Sequence, residues 1–415
     1  MKSWSRVELP KVPTIQNSLR LFSTDMQSKV ELGKSGKKQI YVCGITPYDA
    51  THLGHAATYL TFDILIRFWM AQGNEVNYIQ NITDIDDPLL ERANRDGIDW
   101  MELANSQIDL FRSDMSALRI IPPTHYEGAV DAIPEVISAI QKLENLGITY
   151  SLENDRYFDV SKDEDFGFES HLNEAEMLKI FAERGGDPNR EGKRNPLDSL
   201  LWSGKKPGEP FWHSPFGEGR PGWHIECAAI AVKFAEKNET ADYVLDVQGG
   251  GSDLIFPHHE MSASQSKFLV GKKLAQVFVH AGLIGLDGEK MSKSKGNLLF
   301  VSKMISSGIS PMAIRWALLK RHYRQDYLWQ RTETQEAERE LASLAERLNG
   351  SVIPPTKKLI EDIYSAIADD LNTPMAISKI NQWVNSEDTD GDQVAALELR
   401  NVIDAILGIE LPNQT

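Results

Sequence analysis

Short, nearly continuous blocks of apolar residues mark the first part of the chain, which is the pattern of buried parallel strands. The sequence Gln-Ile-Tyr-Val-Cys-Gly at 39–44 predicts one such strand, and an apolar helix is expected from about His55 to Met70. A second strand is expected at 76–79. Strand, helix and strand in this order indicate a right-handed parallel crossover, which is half of a doubly wound sheet.

The regular pattern changes between residues 116 and 221, which we predict to be an inserted domain. This segment contains a helical stretch at 133–146 and a hairpin near 153–155, followed by stretches rich in Gly, Pro and Arg. Parallel-strand character then returns at 243–247 and 275–280. The chain therefore predicts an α/β fold, in which a Rossmann-like parallel sheet is split by an insertion domain.

Helical patterns dominate the rest of the chain. One helix is predicted over 257–270, and Ser310-Pro311 suits another helix start, because a hydroxyl can cap free N–H groups and proline fits the first turn. Three further helices, near 333–348, 356–371 and 393–407, predict a C-terminal helical bundle. The expected domains are half of a nucleotide-binding Rossmann domain (1–115), the insertion (116–221), the other Rossmann half (222–325) and the bundle (326–415).

Composition and charge narrow the class of protein. The 415 residues are 41% hydrophobic and 25% charged, with a formal net charge of −16, which is typical of a globular protein. No apolar run is long enough to span a bilayer and the first residues lack a secretory layout, so a cytoplasmic protein without a membrane partner is expected. Residues 331–415 are acidic, which disfavours binding of nucleic acid there.

Two cysteines, Cys43 and Cys227, are far apart in the sequence. This number and spacing disfavour a disulfide scaffold and leave buried thiols or metal ligands as the alternatives.

Two histidines stand between the first strand and its helix, in the sequence Thr51-His-Leu-Gly-His55. A helix start offers unpaired N–H groups and a positive dipole end, so a triphosphate could bind there with His52 and His55 facing it. Gly54 would let the backbone approach an adenine ring. The other interpretation, in which both histidines are capping or surface residues, stays open from these residues alone.

A second candidate is the loop at 288–297, where Lys290 and Lys293 lie among Gly and Ser residues. Such a loop could close over ATP, and its lysines could neutralise the charge that develops on pyrophosphate as the α-phosphate is attacked. A solvated basic loop is the alternative. Its position after a strand of the same predicted sheet favours the functional interpretation.

Together these two motifs resemble the signature pair of class I aminoacyl-tRNA synthetases, and the chain is similar to the cysteine branch of that superfamily. The resemblance covers most of residues 39–325 and includes the segments 41–44, 81–87, 214–217, 219–227 and 250–260. It implies an enzyme that activates the carboxylate of cysteine with ATP.

The resemblance also implies a zinc ion, one per chain, held by Cys43, Cys227 and His258 and binding the thiolate of the substrate. Zinc prefers sulfur to a hydroxyl, so such an ion would separate cysteine from serine. From spacing alone, His259 could serve equally well as the imidazole ligand. The synthetases have a further glutamate ligand where this chain has Ser262, which implies three protein ligands.

Around ATP and the adenylate, the resemblance implies a set of catalytic and binding residues, with Mg²⁺ accompanying ATP. The catalytic residues would be His52, His55, Lys290 and Lys293. The binding residues would be Gly44, Ile45, Thr46, Gly54, Thr58, Asn81, Ile82, Thr83, Trp223, Gly251, Ser252, Asp253 and Ile284. Trp223 has an alternative as a core aromatic residue. For Asp84, Asp86 and Asp87, capping of the next helix is favoured over a Mg²⁺ or base role.

Several departures point away from tRNA. Ala57 stands where the synthetases carry an arginine, and Ile45 and Pro47 replace the Pro and Val of their pattern. Together with the sequence Glu-Arg-Gly-Gly-Asp-Pro at 183–188, these changes resemble the cysteine ligases of mycothiol biosynthesis. That resemblance implies L-cysteine, ATP and glucosaminyl-inositol as substrates, and no tRNA. The alternatives are a truncated cysteinyl-tRNA synthetase and a non-catalytic nucleotide-binding paralogue.

Overall fold

At the centre of the molecule lies a five-stranded parallel sheet. The computed structural model describes residues 1–34, 36–49, 51–237, 239–286, 289–290, 298–389 and 393–412. The strands, in spatial order, are β11 (Lys273–Ala281), β10 (Tyr243–Gly251), β3 (Lys37–Val42), β4 (Glu75–Ile82) and β5 (His125–Gly128). The prediction of a Rossmann-like parallel sheet is confirmed, and the sheet order reverses between β3 and β10, where ligands bind in doubly wound folds.

The strand β5 extends this sheet beyond the predicted limit of its first half. It lies within 116–221, yet it pairs in parallel with β4. The four residues His-Tyr-Glu-Gly carry no apolar run, so neither length nor pattern indicated a strand of the central sheet. The remainder of that segment contains the antiparallel strands β6 (Thr149–Leu152), β7 (Asp155–Phe158), β8 (Ser199–Gly204) and β9 (Gly219–Pro221), of which β6 and β7 form the predicted hairpin.

Helices cover both faces of the sheet. The longest of the first half, α1 (Leu53–Ala71), follows β3 and is buried along most of its length. The others up to β11 are α2 (Asp87–Asp96), α3 (Trp100–Ala117), α4 (Ile133–Asn145), α5 (Glu174–Glu183), α6 (Trp223–Phe234) and α7 (Glu260–Val270). The hairpin of β1 (Leu19–Ser23) and β2 (Ser28–Leu32) precedes β3 and was not predicted.

The helix predicted over 257–270 begins later than expected. A wide helical turn, Ile255–His259, precedes α7, and Phe256 within it has an extended backbone (φ −134°, ψ 136°). A residue before proline is displaced from the helical region by the proline ring, so Pro257 explains the bend. This turn carries His258 and His259, and its shape decides where the two rings point.

Beyond β11 the chain forms a small sheet and a helical bundle. The sheet contains β12 (Ile284–Leu286), β13 (Glu289–Lys290) and β14 (Tyr327–Trp329). The helices are α8 (Val301–Ser306), α9 (Pro311–Leu319), α10 (Glu333–Asn349), α11 (Lys357–Ala368), α12 (Thr373–Val384) and α13 (Gln393–Val402). Helix α13 continues as a wide turn at Ile403–Leu407. Helix α12 was not predicted. In the described part of the chain, no helix has the length and apolar character needed to cross a membrane.

Local features of the sequence explain where two helices of the bundle end or begin. The helix predicted to run to 371 ends at Ala368, because Asp370 and Leu371 have positive φ angles (65° and 50°) that a right-handed helix excludes. Helix α9 starts at Pro311 as expected, but the Ser310 hydroxyl makes no capping hydrogen bond. Proline alone therefore accounts for that start.

A buried charge network joins the bundle to the central domain. Asp63 on α1 accepts hydrogen bonds from Arg67 (2.7 Å) and Arg315, and all three side chains are fully buried. Arg315 also donates to the carbonyl of Leu407 (2.6 Å), and Arg67 donates to that of Asp404 (3.0 Å). Burial opposes ionisation of Asp63, but the guanidinium groups of Arg315 and Arg67 outweigh it and keep its pKa below the usual value.

The carboxyl ends of β3 and β4 are held together by the side chain of Asn81. Its amide oxygen accepts hydrogen bonds from the hydroxyl of Tyr41 (2.8 Å) and the N–H of Gly44 (2.7 Å), and its amide nitrogen donates to Thr83 (3.1 Å). A Cβ added to Gly44 would stand 1.6 Å from the carbonyl oxygen of Asn81. Only glycine fits this contact, which fixes the backbone next to Cys43.

We expect Arg315→Met to lower the free energy of unfolding by about 3 kcal/mol, because Asp63 and the Leu407 carbonyl lose a buried donor. Urea unfolding would measure this loss. The control is Arg95→Met, which removes an arginine whose side chain is 67% exposed and should change stability by less than about 0.5 kcal/mol. Equal effects in the two variants would contradict a stabilising role for the buried network.

Gly44→Ala should lower stability by about 2 kcal/mol, because the added methyl group forces the ends of β3 and β4 apart. Gly33→Ala is the matched control, since the nearest atom to its Cβ would lie 3.8 Å away. Thermal unfolding of both variants tests the claim, and a Gly44→Ala protein as stable as Gly33→Ala would refute it.

Candidate active site

Two thiols and one imidazole meet at the carboxyl edge of the parallel sheet. Cys43 follows β3, Cys227 lies on α6, and His258 lies in the turn before α7. The His258 Nε2 atom is 3.2 Å from the Sγ atom of each cysteine, and the two sulfurs are 3.7 Å apart. All three side chains are buried. Three distant segments thus present a compact set of ligand atoms.

This group fits a zinc ion by its chemistry. Two sulfurs and one imidazole nitrogen are a typical zinc donor set. Burial, reinforced by the adjacent Cys43, raises the pKa of the Cys227 thiol well above its usual value. A thiolate in that position therefore needs a nearby cation, which a divalent metal ion would supply.

Behind the His258 imidazole lies a second histidine that was not predicted. The Nδ1 atoms of His224 and His258 are 3.0 Å apart, and burial lowers the pKa of His224 to about 3 and that of His258 well below its usual value. Both rings are therefore neutral. A proton on Nδ1 of His258, donated to His224, leaves Nε2 free to bind metal. The sequence did carry a signal for His224, because it stands one helical turn before Cys227 and so lies on the same face of the helix.

Neighbouring residues define the limits of the group. Trp223 is partly exposed and stacks on His258, with ring centroids 4.3 Å apart, so it borders the site. The Ser262 hydroxyl donates to the carbonyl of His258 (2.8 Å), in the turn before its helix. His259, the alternative imidazole, lies with its Nδ1 2.8 Å from His280, in a different cluster.

His52 and His55 lie at the start of α1 with stacked rings, 3.8 Å between centroids. His52 caps the helix, because its Nδ1 accepts hydrogen bonds from the N–H groups of Gly54 (3.1 Å) and His55 (3.4 Å). Burial lowers the pKa of both rings, so they are neutral. Among the described residues, the buried Nδ1 of His55 has no hydrogen-bond partner. The start of α1 therefore offers neutral imidazoles and a helix dipole to an anion.

Glycines at this edge leave room for neighbouring side chains. A Cβ on Gly54 would lie 2.9 Å from Cε1 of His52, so packing of that ring is one reason for glycine there. A Cβ on Gly251, at the end of β10, would lie 2.5 Å from Asp253 and 3.8 Å from the hydroxyl of Thr58. Thr58 and Asp253 thus flank the same strand end. Ser252 is partly exposed beside them.

The other predicted binding residues divide into core and edge positions. The side chains of Ile45, Ile82 and Ile284 belong to the main hydrophobic core, so mainly their backbone can meet a ligand. Thr83 donates its N–H to the carbonyl of Ile45 (3.0 Å) at the edge, where Thr46 is partly exposed. Gly44 and Asn81 shape that edge through the contact described above.

Lys290 lies in β13, where its backbone pairs with Gly285 of β12. Lys293 lies outside the described residues.

Three acidic residues near this edge have structural partners. Asp86 caps α2 by accepting the N–H of Asp87 (2.8 Å), as predicted, and Asp84 accepts the N–H of Val130 (2.9 Å). Burial raises the pKa of Asp84 and of Asp86 to about 6. Asp87 pairs with Arg220. These contacts favour the structural interpretation of the acidic segment.

Comparison with known proteins gives matches over most or nearly all of the chain. The family model of the "tRNA synthetases class I (C) catalytic domain" matches residues 29–339. The protein from Kribbella flavida named L-cysteine:1D-myo-inositol 2-amino-2-deoxy-alpha-D-glucopyranoside ligase is 48% identical over 414 residues, which cover 99% of this chain and 100% of the relative. Proteins of the same name from Rhodococcus erythropolis (49%) and Streptomyces coelicolor (48%) have the same coverage.

Solved structures share the fold at low sequence identity. Methionyl-tRNA synthetase of Mycobacterium tuberculosis bound by methionyl-adenylate has a TM-score of 0.60 at 15% identity, with 90% of this chain and 92% of that chain covered. LeuRS from Agrobacterium radiobacter, in a ternary complex with tRNA and LeuAMS, has a TM-score of 0.65 at 12% identity, covering 90% and 84%. The chain therefore belongs to the class I (C) tRNA synthetase catalytic-domain family and, within it, to the group of L-cysteine:1D-myo-inositol 2-amino-2-deoxy-alpha-D-glucopyranoside ligases.

Proposed function

We propose that the chain is an ATP-dependent ligase that activates L-cysteine as cysteinyl adenylate and transfers the cysteinyl group to the amine of glucosaminyl-inositol. The observation that carries this proposal is the buried group of Cys43, Cys227 and His258, at the same sheet edge as the His52 and His55 helix start. The full-length relatives with this ligase name support it. Because ATP is supplied in the cytoplasm, we propose that the reaction takes place there.

The specificity for cysteine would come from the ligand group. A zinc ion bound to Cys43, Cys227 and His258 would supply a position that a thiolate fills far better than a hydroxyl. Apolar pockets separate such similar side chains poorly, so this chemistry is needed to exclude serine. Trp223, stacked on His258, would form one wall for the amino acid. Thr46 and Thr83 at the strand ends would border its polar groups.

The first reaction step would be supported by residues around the nucleotide. An oxygen of the cysteine carboxylate attacks the α-phosphorus of ATP, the bond to the bridging oxygen breaks, and pyrophosphate leaves with the electron pair. His52 and His55 are neutral, so they would donate hydrogen bonds without adding charge. The start of α1, Lys290, Lys293 and the Mg²⁺ that accompanies ATP would meet the negative charge.

In the second step the neutral amine of the sugar attacks the carbonyl carbon of the adenylate. The bond from this carbon to the phosphate oxygen breaks, AMP leaves, and the amine loses a proton. This acceptor is favoured over tRNA because residues 331–415 carry far more acidic than basic side chains.

An assay with cysteine, ATP and either glucosaminyl-inositol or tRNA tests which acceptor the enzyme uses. Amide formation with the sugar is expected, and charging of tRNA alone would reject it.

Cys227→Ser should abolish both zinc binding and cysteine-dependent exchange between pyrophosphate and ATP, because the buried ligand set loses a sulfur. Metal analysis and the exchange assay measure the two losses. The control is Ser262→Ala, which removes a hydroxyl that bonds two backbone carbonyls of the turn before α7 but no ligand atom, and it should retain both properties. A metal-free Cys227→Ser protein with full exchange would refute the assignment.

Lys293→Ala should slow adenylate formation by about 100-fold in single-turnover experiments, with little change in the Kd for cysteine. The reason is that the charge which this lysine would meet develops in the transition state. Lys303→Ala serves as the control, because the Lys303 ammonium lies over the ring of Phe300, 4.9 Å from its centroid. An equal loss in cysteine affinity and in rate would contradict the proposed role.

A further inference from the structure

The turn that carries His258 is the least regular of the three segments that supply the candidate zinc ligands. Cys43 is held by the ladder of the sheet, where its N–H donates to the carbonyl of Gly249 (3.0 Å), and Cys227 lies inside α6. His258, in contrast, lies in the wide turn Ile255–His259, where the extended backbone of Phe256 interrupts the helical conformation. The position of this imidazole therefore depends on what holds the turn.

Arg184, in the sequence Glu-Arg-Gly-Gly-Asp-Pro at 183–188, contacts the beginning of the turn. Its Nη1 donates a hydrogen bond to the carbonyl oxygen of Phe256 (2.6 Å), and Phe256 is buried. An extended residue directs its carbonyl away from the helical ladder, so this buried oxygen needs a donor from another segment. A charged guanidinium makes a stronger hydrogen bond than a neutral donor. Arg184 thus fastens the insertion to the residue at which the turn bends.

Two glycines fix the backbone next to Arg184. Gly185 has a φ angle of 84°, which suits the residue that ends a helix, and α5 ends here. The N–H of Gly186 donates to the carbonyl of Phe181 (2.8 Å), and a Cβ on Gly186 would lie 2.6 Å from the Phe181 ring. Arg184 is therefore presented to the turn from a tightly packed helix end.

Glu260, the first residue of α7, makes a second contact with the insertion directly after the turn. Its buried carboxylate accepts the N–H groups of Gly167 (2.9 Å), Glu169 (3.1 Å) and Ser170 (2.8 Å). Oε1 of Glu169 in turn lies 3.4 Å from Nε2 of His280 on β11, so the loop at 167–170 lies against the central sheet. The insertion consequently contacts the turn on both sides of its two histidines.

We infer that Arg184 and Glu260 are positioning residues, which hold both ends of this turn and so set the distance from the His258 imidazole to the two cysteine sulfurs. The inference rests on the zinc site of the proposed function. Contacts outside the ligands typically change metal affinity by about 10-fold to 100-fold. The insertion domain therefore determines how firmly the three ligands bind their metal ion, and through it how well the substrate thiolate is bound.

Chelator competition on the zinc-loaded, full-length protein measures this effect. Arg184→Met should weaken zinc binding about 10-fold, because the Phe256 carbonyl loses its donor. Arg184→Lys keeps a charged donor and should recover part of the affinity. The control is Arg194→Met, in the same insertion, which removes a 56% exposed side chain paired with Asp159 and should leave zinc affinity unchanged. Equal affinities of Arg184→Met and Arg194→Met would overturn the inference.

Cobalt spectra separate a change at the metal site from a general loss of stability. With cobalt bound, Arg184→Met should keep the thiolate charge-transfer bands, because both cysteines remain, and should shift the visible ligand-field bands, because His258 has moved. Glu260→Gln should shift the same bands, since one of its oxygens is replaced by a donor. If that variant does not fold, the partly exposed Arg184 carries the test. Visible bands identical in Arg184→Met and the unaltered protein would contradict the inference.

Steady-state exchange between pyrophosphate and ATP gives a third readout. Arg184→Met should raise the KM for cysteine and leave the KM for ATP unchanged, and equal rises in both would count against a role at the ligand group. The two proposals can fail separately. Zinc binding without cysteine-dependent exchange in the unaltered protein would reject the proposed function alone, whereas unchanged zinc affinity and cobalt spectra in Arg184→Met would reject this inference alone. An unaltered protein that binds no zinc would reject both.

Discussion

The pairing of β3 with β10 is the constraint on which the candidate active site depends. The two strands are distant in sequence but run in parallel, with Tyr41 opposite Gln248, and the N–H of Cys43 extends the ladder to the carbonyl of Gly249 (3.0 Å). Parallel strands end at a common edge, so the residue after β3 comes to lie next to the turn after β10. That turn supplies His258, and α6 fills the space between with Cys227.

Low charge is the common property of the imidazole and thiol groups at this edge. The imidazoles of His52, His55 and His258 are kept neutral by burial, and the Cys227 thiol resists ionisation for the same reason. These imidazole and thiol groups bring no charge themselves, so a metal ion or a phosphate group that they contact brings the dominant charge when it binds. A cation and an anion that bind side by side would then be recognised by separate elements. The thiol-containing group would bind the cation, and the start of α1 would bind the anion.

Much of the fold could be predicted from the sequence, because apolar blocks and their period indicate β3, α1, β4, β10 and β11. The errors have local causes, namely a short polar strand at β5 and a bend before Pro257 that delays α7. The resemblance to the synthetases implied Cys43, Cys227 and His258 as the zinc ligands. Sequence spacing alone could not distinguish His258 from His259 as the imidazole ligand. Only the shape of the turn sends adjacent rings into different clusters, and no sequence period indicates that Glu169 lies beside His280.

The buried carboxylate on α1 also limits how the chain can be shortened. Both guanidinium groups that neutralise Asp63 depend on backbone carbonyls near the end of the chain, at Asp404 and Leu407. A fragment that stops before those carbonyls would keep two buried cations with fewer acceptors, namely Asp63 and the carbonyls of Leu118 and Arg119. The last helices therefore contribute to the stability of the central domain. A proteolytic cut that released them would leave a catalytic domain prone to unfold and aggregate.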